Sequence, residues 1–207
     1  MSLHIVDHPL IGHKMTKIRN KATGPKEFRE LVEEVATIIC YEATKDAKMC
    51  QVEVETPIQK TMGIEIATKY AIVPILRAGL GMLGGVQQFL PMAKVGHIGL
   101  YRDPETLYPI EYYTKLPTDV SDREVILVDP MVATGHSVDA AVKIIKGHGV
   151  KNIKLFCLVS CPEGIAYLEK KHPDLVIYTA VHDERLNDHG YIVPGLGDAG
   201  DRLYGTE

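Results

Sequence analysis

The chain has 207 residues, 45% hydrophobic and 24% charged, enough for one well-buried core and short for two. Lys and Arg number 23 against 27 Asp and Glu, a formal net charge of −4, so the basic excess of a dedicated nucleic-acid binder is missing. The longest apolar runs, at 71–76 and 125–128, fall far short of the roughly 20 residues of a membrane-crossing helix.

Residues 1–7 lack the basic start and apolar stretch of a secretory signal, which leaves the cytoplasm as the expected address. Cys40, Cys50, Cys157 and Cys161 contain no C-x-x-C pair and fit reduced thiols in packing roles rather than a zinc site. A single domain is expected over 1–207, with an N-terminal arm over 1–29 and a C-terminal hood over 181–207. The arm holds Lys14, Lys17, Arg19, Lys21, Lys26 and Arg29 against one acid, Glu27, between His8 and Arg29. It reads either as a solvated surface or as a subunit or effector contact that attracts phosphates.

Gly24-Pro25 opens a helix whose Phe28, Leu31, Val32, Val35, Ile38 and Ile39 share one face. Val52, Val54 and Thr56 alternate with acids, as in a half-exposed strand ending at Pro57. Short apolar strands then alternate with helices: strands at 71–76, 95–101, 125–128, 153–160 and 175–180, helices at 80–90, 137–146 and 163–171. Residues 110–116 read as a hairpin arm. The pattern predicts an α/β fold, a mainly parallel sheet flanked by helices, with ligands at the carboxyl ends of its strands.

The most informative stretch is Val125-Ile126-Leu127-Val128-Asp129-Pro130-Met131-Val132-Ala133-Thr134-Gly135-His136-Ser137. A buried strand delivers an acid, and a small-residue loop turns into a helix whose first amides are free to hold an anion. Thr134 and Ser137 add hydroxyls. Asp129 beside an anion needs a reason of its own, and a sugar diol supplies one, because a carboxylate accepts two hydroxyl protons. Sugar plus terminal phosphate is a ribose 5-phosphate. The Walker and Rossmann glycine patterns are absent.

This stretch resembles the phosphoribosyl-diphosphate motif of the phosphoribosyltransferases, and Asp129-Pro130-Met131 the variant found in the uracil phosphoribosyltransferases. The resemblance extends through Val73–Met82, Tyr101–Thr106 and Tyr191–Arg202, with Tyr41-Glu42-Ala43-Thr44 and His8-Pro9-Leu10 also similar. One departure is His136, where a small residue, often Gly, is common; the loop amides are kept, and His136 adds a donor or alters loop flexibility. The resemblance implies the type I phosphoribosyltransferase fold, with a β-hairpin flap from Arg102 to Lys115 and a uracil-binding hood. It implies transfer of the phosphoribosyl group from phosphoribosyl diphosphate (PRPP) to uracil, giving UMP and diphosphate.

What the resemblance implies for individual residues follows the motifs. PRPP would be held by Arg77, Arg102, Asp129, Pro130, Met131, Val132, Ala133, Thr134, Gly135, His136, Ser137 and Asp198. Arg77, in a loop where a strained or cis peptide is expected, and Arg102 on the flap would meet the diphosphate. Uracil would contact Ile192, Gly197, Asp198 and Ala199. Backbone groups there complement its acceptor–donor–acceptor edge, and a mismatch with cytosine is worth about 10⁴ to 10⁵ in selectivity. Asp198, Arg77 and Arg102 are the expected catalytic residues. Asp198 would either hold a water bound to Mg²⁺ or favour the uracil nitrogen as it loses its proton. Mg²⁺ would arrive on PRPP with no direct protein ligand. A homodimer or homotetramer and GTP as activator are further implications. The remaining histidines are expected in surface or packing roles, with Tyr191 stacking on a ring or filling the cap. The competing reading is an RNA-binding regulator on the same fold, for which the basic arm is the candidate surface. A purine transferase fits less well with Asp129-Pro130.

Overall fold

The computed structural model describes residues 2–103 and 108–206, the side chain of Arg102 excepted. In chain order the elements are β1 (Ser2–Ile5), α1 (Pro9–Arg19), α2 (Pro25–Ala43), β2 (Met49–Glu55), β3 (Lys60–Ile66), β4 (Tyr70–Leu76), α3 (Leu80–Phe89), β5 (Lys94–Val95), β6 (His97–Arg102) and β7 (Pro109–Lys115). They continue with β8 (Glu124–Val128), β9 (Met131–Val132), α4 (His136–Gly147), β10 (Ile153–Ser160), α5 (Pro162–Lys171), β11 (Val176–His182), β12 (Arg185–Leu186), β13 (Ile192–Val193) and α6 (Ala199–Tyr204).

The main sheet runs β1-β11-β10-β8-β4-β6-β7, and β5 and β9 add short pairings to β4 and β10. Every pairing along it is parallel except β6–β7. All eight residues of β10 are buried, so its alternate side chains serve two cores. Phe156 and Leu158 join Ile72, Ile126 and Val128 beneath α1, α2 and α3. Leu155 and Cys157 join Val73, Val125 and Leu127 against α4 and α5. Helices on both faces leave the carboxyl ends of the strands open for loops.

Three features differ from the sequence expectation. The strand read at 52–56 is one arm of a hairpin, β2–β3, paired in register from Met49–Ile66 to Glu55–Lys60, and its second arm was not foreseen. The N-terminal arm is ordered as β1, parallel to β11, and α1, which buries Ile11, Met15 and Ile18. Its cations face partners inside the chain: Lys14 pairs with Glu34, Lys17 with Glu27, Lys26 with Glu30, and Arg19 with Asp183 at 2.6 Å.

Candidate active site

A cavity of about 400 Å³ opens at the carboxyl ends of β4, β6 and β8. Its wall is made by Ile75–Ala78, Leu100, Tyr101, Asp129, Met131, Ala133 and Ser137, and the hood closes it with His189–Tyr191 and Gly197–Gly200.

The loop after β8 is stitched to its neighbours through main-chain groups. The Asp129 amide donates to the Phe156 carbonyl at 3.2 Å, and the Pro130 carbonyl accepts the amides of Leu158 and Val159 at 2.9 and 3.1 Å. The Asp129 carboxylate accepts the Met131 amide at 3.3 Å. The Cys161 thiol donates to the Ala133 carbonyl at 3.2 Å from below. Pro130 and Val132 are therefore buried supports, whereas Asp129, Met131, Ala133 and Ser137 border the cavity. Gly135, with φ +81°, leads into α4. Its helix start, with free amides and a favourable dipole, stands at the cavity edge with Ser137.

The His136 ring does not form part of the wall. It stacks on Tyr108 with ring centres 5.4 Å apart and meets the edge of Tyr167 at 4.9 Å. Tyr167 in turn donates its hydroxyl to Asp139 at 2.8 Å. His172 and Lys143 also bond the Asp139 carboxylate, each at 2.9 Å. Burial alone would raise the Asp139 pKa, but bonds from Lys143, Tyr167 and His172 outweigh it and hold the carboxyl below its ordinary range. Burial is the main reason the Tyr167 hydroxyl is pushed up to about 12, with Asp139 adding to it.

Arg77 follows β4 across a cis peptide bond from Leu76, as the resemblance implied. Gly79 behind it has no room for a side chain: a Cβ there would stand 2.4 Å from the Val128 carbonyl oxygen. Helix α6 holds Arg77 in place. Asp201 accepts from its guanidinium at 3.4 Å, the Tyr204 ring lies 5.8 Å from it, and the Tyr204 hydroxyl donates to the Arg77 carbonyl at 3.0 Å. Asp198 caps the same helix, accepting the Asp201 amide at 2.9 Å.

The structure thus gathers Arg77, Asp129, Met131, Ala133, Ser137, Gly197, Asp198 and Ala199 around one space. Ile192 is buried in β13 within the hood, off the cavity wall, and Thr134, Gly135 and His136 lie beside the wall. The Arg102 side chain lies outside the described residues, as do residues 104–107 of the expected flap. Sequence reading assigned His189 to surface or packing, yet it borders the cavity with Gly190; its only cue was adjacency to Tyr191. Among the described residues, no three His, Cys, Asp or Glu side chains gather as a metal-holding group.

Residues 5–206 match the sequence family described as uracil phosphoribosyltransferase. A relative of that name from Dictyoglomus thermophilum is 63% identical over 204 residues, covering 98% of this chain and 99% of the relative. Another, from Alkaliphilus metalliredigens, is 60% identical over 204 residues and 98% of each chain. A solved protein of Aquifex aeolicus superposes with a TM-score of 0.95 at 39% identity, over 99% of both chains. A hypoxanthine-guanine phosphoribosyltransferase of Bacillus anthracis shares the fold at a TM-score of 0.52 and 11% identity, covering 74% of this chain and 80% of that one.

Proposed function

The chain belongs to the uracil phosphoribosyltransferase family, and on that premise we propose that it transfers the phosphoribosyl group of PRPP to uracil, giving UMP and diphosphate in pyrimidine salvage. The observation that carries this reading is the single cavity shared by Arg77, Asp129, the start of α4 and the Gly197–Ala199 main chain. In the reaction the bond from the anomeric carbon to the diphosphate oxygen breaks. The bond to the uracil ring nitrogen forms, and that nitrogen loses its proton.

The 5-phosphate sits against the amides that open α4, with Thr134 and Ser137 as hydroxyl donors. Asp129 accepts the ribose hydroxyls. Arg77, preorganised by Asp201 and Tyr204, takes the charge that builds on the leaving diphosphate, where a fixed cation lowers the barrier. Arg102 assists from the β6–β7 side. Uracil lies along Gly197–Ala199, and the Asp198 carboxylate favours the ring nitrogen as its proton departs. Asp129 and Asp198 are hard oxygen donors on the cavity wall, which fits a Mg²⁺ that arrives on PRPP and keeps most of its waters. When bound, that ion neutralises diphosphate charge.

Three finer points belong to the same reading. The protein works in the cytoplasm, where Cys40, Cys157 and Cys161 remain buried free thiols. It assembles as a homodimer or homotetramer, supported by the exposed apolar side chains of the β2–β3 hairpin, Ile58, Met62, Ile64 and Ile66. GTP activates it. The test is UMP formation from labelled uracil, PRPP and Mg²⁺, with and without GTP, beside cytosine, hypoxanthine and orotate. Turnover with uracil alone is expected; turnover with hypoxanthine or orotate instead, or with none of the bases, would overturn the assignment.

A further inference from the structure

The hood loop that precedes the uracil edge is held from outside the cavity by two arginines. Asp183, directly after β11 and only 6% exposed in its side chain, accepts the Gly195 amide at 2.9 Å. Arg19, the last residue of α1, donates from Nη2 to Asp183 Oδ1 at 2.6 Å and from Nη1 to both Asp183 Oδ2 at 2.8 Å and the Gly195 carbonyl at 2.7 Å. Both main-chain groups of Gly195 are thereby fixed in one closed ring of bonds. The residue itself is constrained: φ is +60°, and a Cβ would stand 2.1 Å from the Ile192 carbonyl oxygen.

Arg202 of α6 holds the carbonyl of the next residue. It donates to the Leu196 carbonyl at 2.9 Å, to the Asn20 carbonyl at 2.7 Å and to the Ile18 carbonyl, with its guanidinium 4.2 Å from the Phe28 ring centre. Neither arginine borders the cavity, yet the residues that follow their clamps, Gly197–Ala199, do. A planar guanidinium fork sets angle as well as distance, which a lysine ammonium does not.

We propose that Arg19 and Asp183 are positioning residues for the pyrimidine: an ion pair between the N-terminal helix and the end of β11 sets the register of the main chain that reads uracil. The inference rests on the reading of the reaction above and adds to it a residue pair remote from the base. The side-chain bonds of this pair run to each other and to Gly195, on the hood side and away from α4, so its loss falls on uracil and spares PRPP.

The test is steady-state kinetics of Arg19→Lys and Asp183→Asn beside wild type, with thermal melting of each. Asp183→Asn removes a charge without changing volume and keeps an acceptor for the Gly195 amide, so it stands alone should Arg19→Lys fold poorly. The expected result is a KM for uracil raised about tenfold, equivalent to about 1.4 kcal/mol, with KM for PRPP within about twofold of wild type. Equal rises in both KM values, or lower melting with both unchanged, would overturn the inference and leave the pair a role in folding alone. Wild type that forms no UMP would sink the reaction and this inference with it; UMP formation without the split in KM would sink the inference only.

Discussion

On the proposed reading Asp198 carries two duties on one carboxylate. One oxygen caps α6 through the Asp201 amide, and the group also borders the cavity. Asn caps a helix about as well as Asp, so Asp198→Asn separates the duties. Circular dichroism and melting should match wild type, while kcat falls by about 10²-fold or more; unchanged kcat would remove the charge from the mechanism. Arg102→Ala is expected to weaken handling of PRPP more than of uracil, and equal changes in the two KM values would count against that role. Lys154 is a residue of a different kind, an ammonium in the central strand β10 with its side chain 8% exposed. It donates to the Ala43 carbonyl at 2.8 Å and to Asp46 at 2.6 Å, and lies 3.1 Å from Glu124. Burial pulls its pKa down, but the bond to Asp46 and the charge of Glu124 leave it above its ordinary value. Lys154→Ala strands Glu124 and should cost about 3 kcal/mol in chemical denaturation.

Among the elements, α4 and α5 are joined through Asp139, which receives Tyr167, Lys143 and His172. Its pKa is lowered in the folded chain. The folded form therefore gains from its ionised state above the unfolded value of about 3.9, and that gain disappears as pH falls below it. Asp139→Asn should lower stability by about 2 kcal/mol at neutral pH and flatten the acid limb of the stability profile. A variant that unfolds along the wild-type acid curve would show that other carboxylates set it. The longer helices and strands from α3 to β11 were legible because each carries its own period and its own stop, such as Gly147 after the face of Val138, Val142 and Ile145, whereas the short β9, β12, β13 and α6 carry too few residues for a period. Helix α1 was less so. Ile11, Met15 and Ile18 have helical spacing, but the count of basic residues drew attention to charge, and the partners that neutralise Lys14 and Arg19 lie 20 and 164 positions away.

At the scale of the whole molecule, the cavity-lining loop after β8, Arg77 and the Gly197–Ala199 segment could be singled out in sequence because each is a contiguous motif. The joining of the hood to α1 could not, since it consists of bonds between residues with no shared pattern. The same holds for β3: Lys60–Ile66 shows little burial, so its apolar side chains form neither core face. If the proposed homodimer or homotetramer forms through that hairpin, with Ile58 88% exposed and Ile64 70% exposed, it is the surface the second copy covers. Replacing both by Ser is expected to shift light scattering toward the single chain, and an unchanged mass would place the subunit contact elsewhere. Strand β1 has a consequence in time. Among the described residues its neighbour in the sheet is β11, which begins at Val176, so a chain leaving the ribosome carries Ser2–Ile5 unpaired until β11 has followed it out. Arg19 likewise waits for Asp183. On the proposed reading, the loop after β8 is therefore complete in the nascent chain before Asp183 exists to set the main chain that meets the pyrimidine.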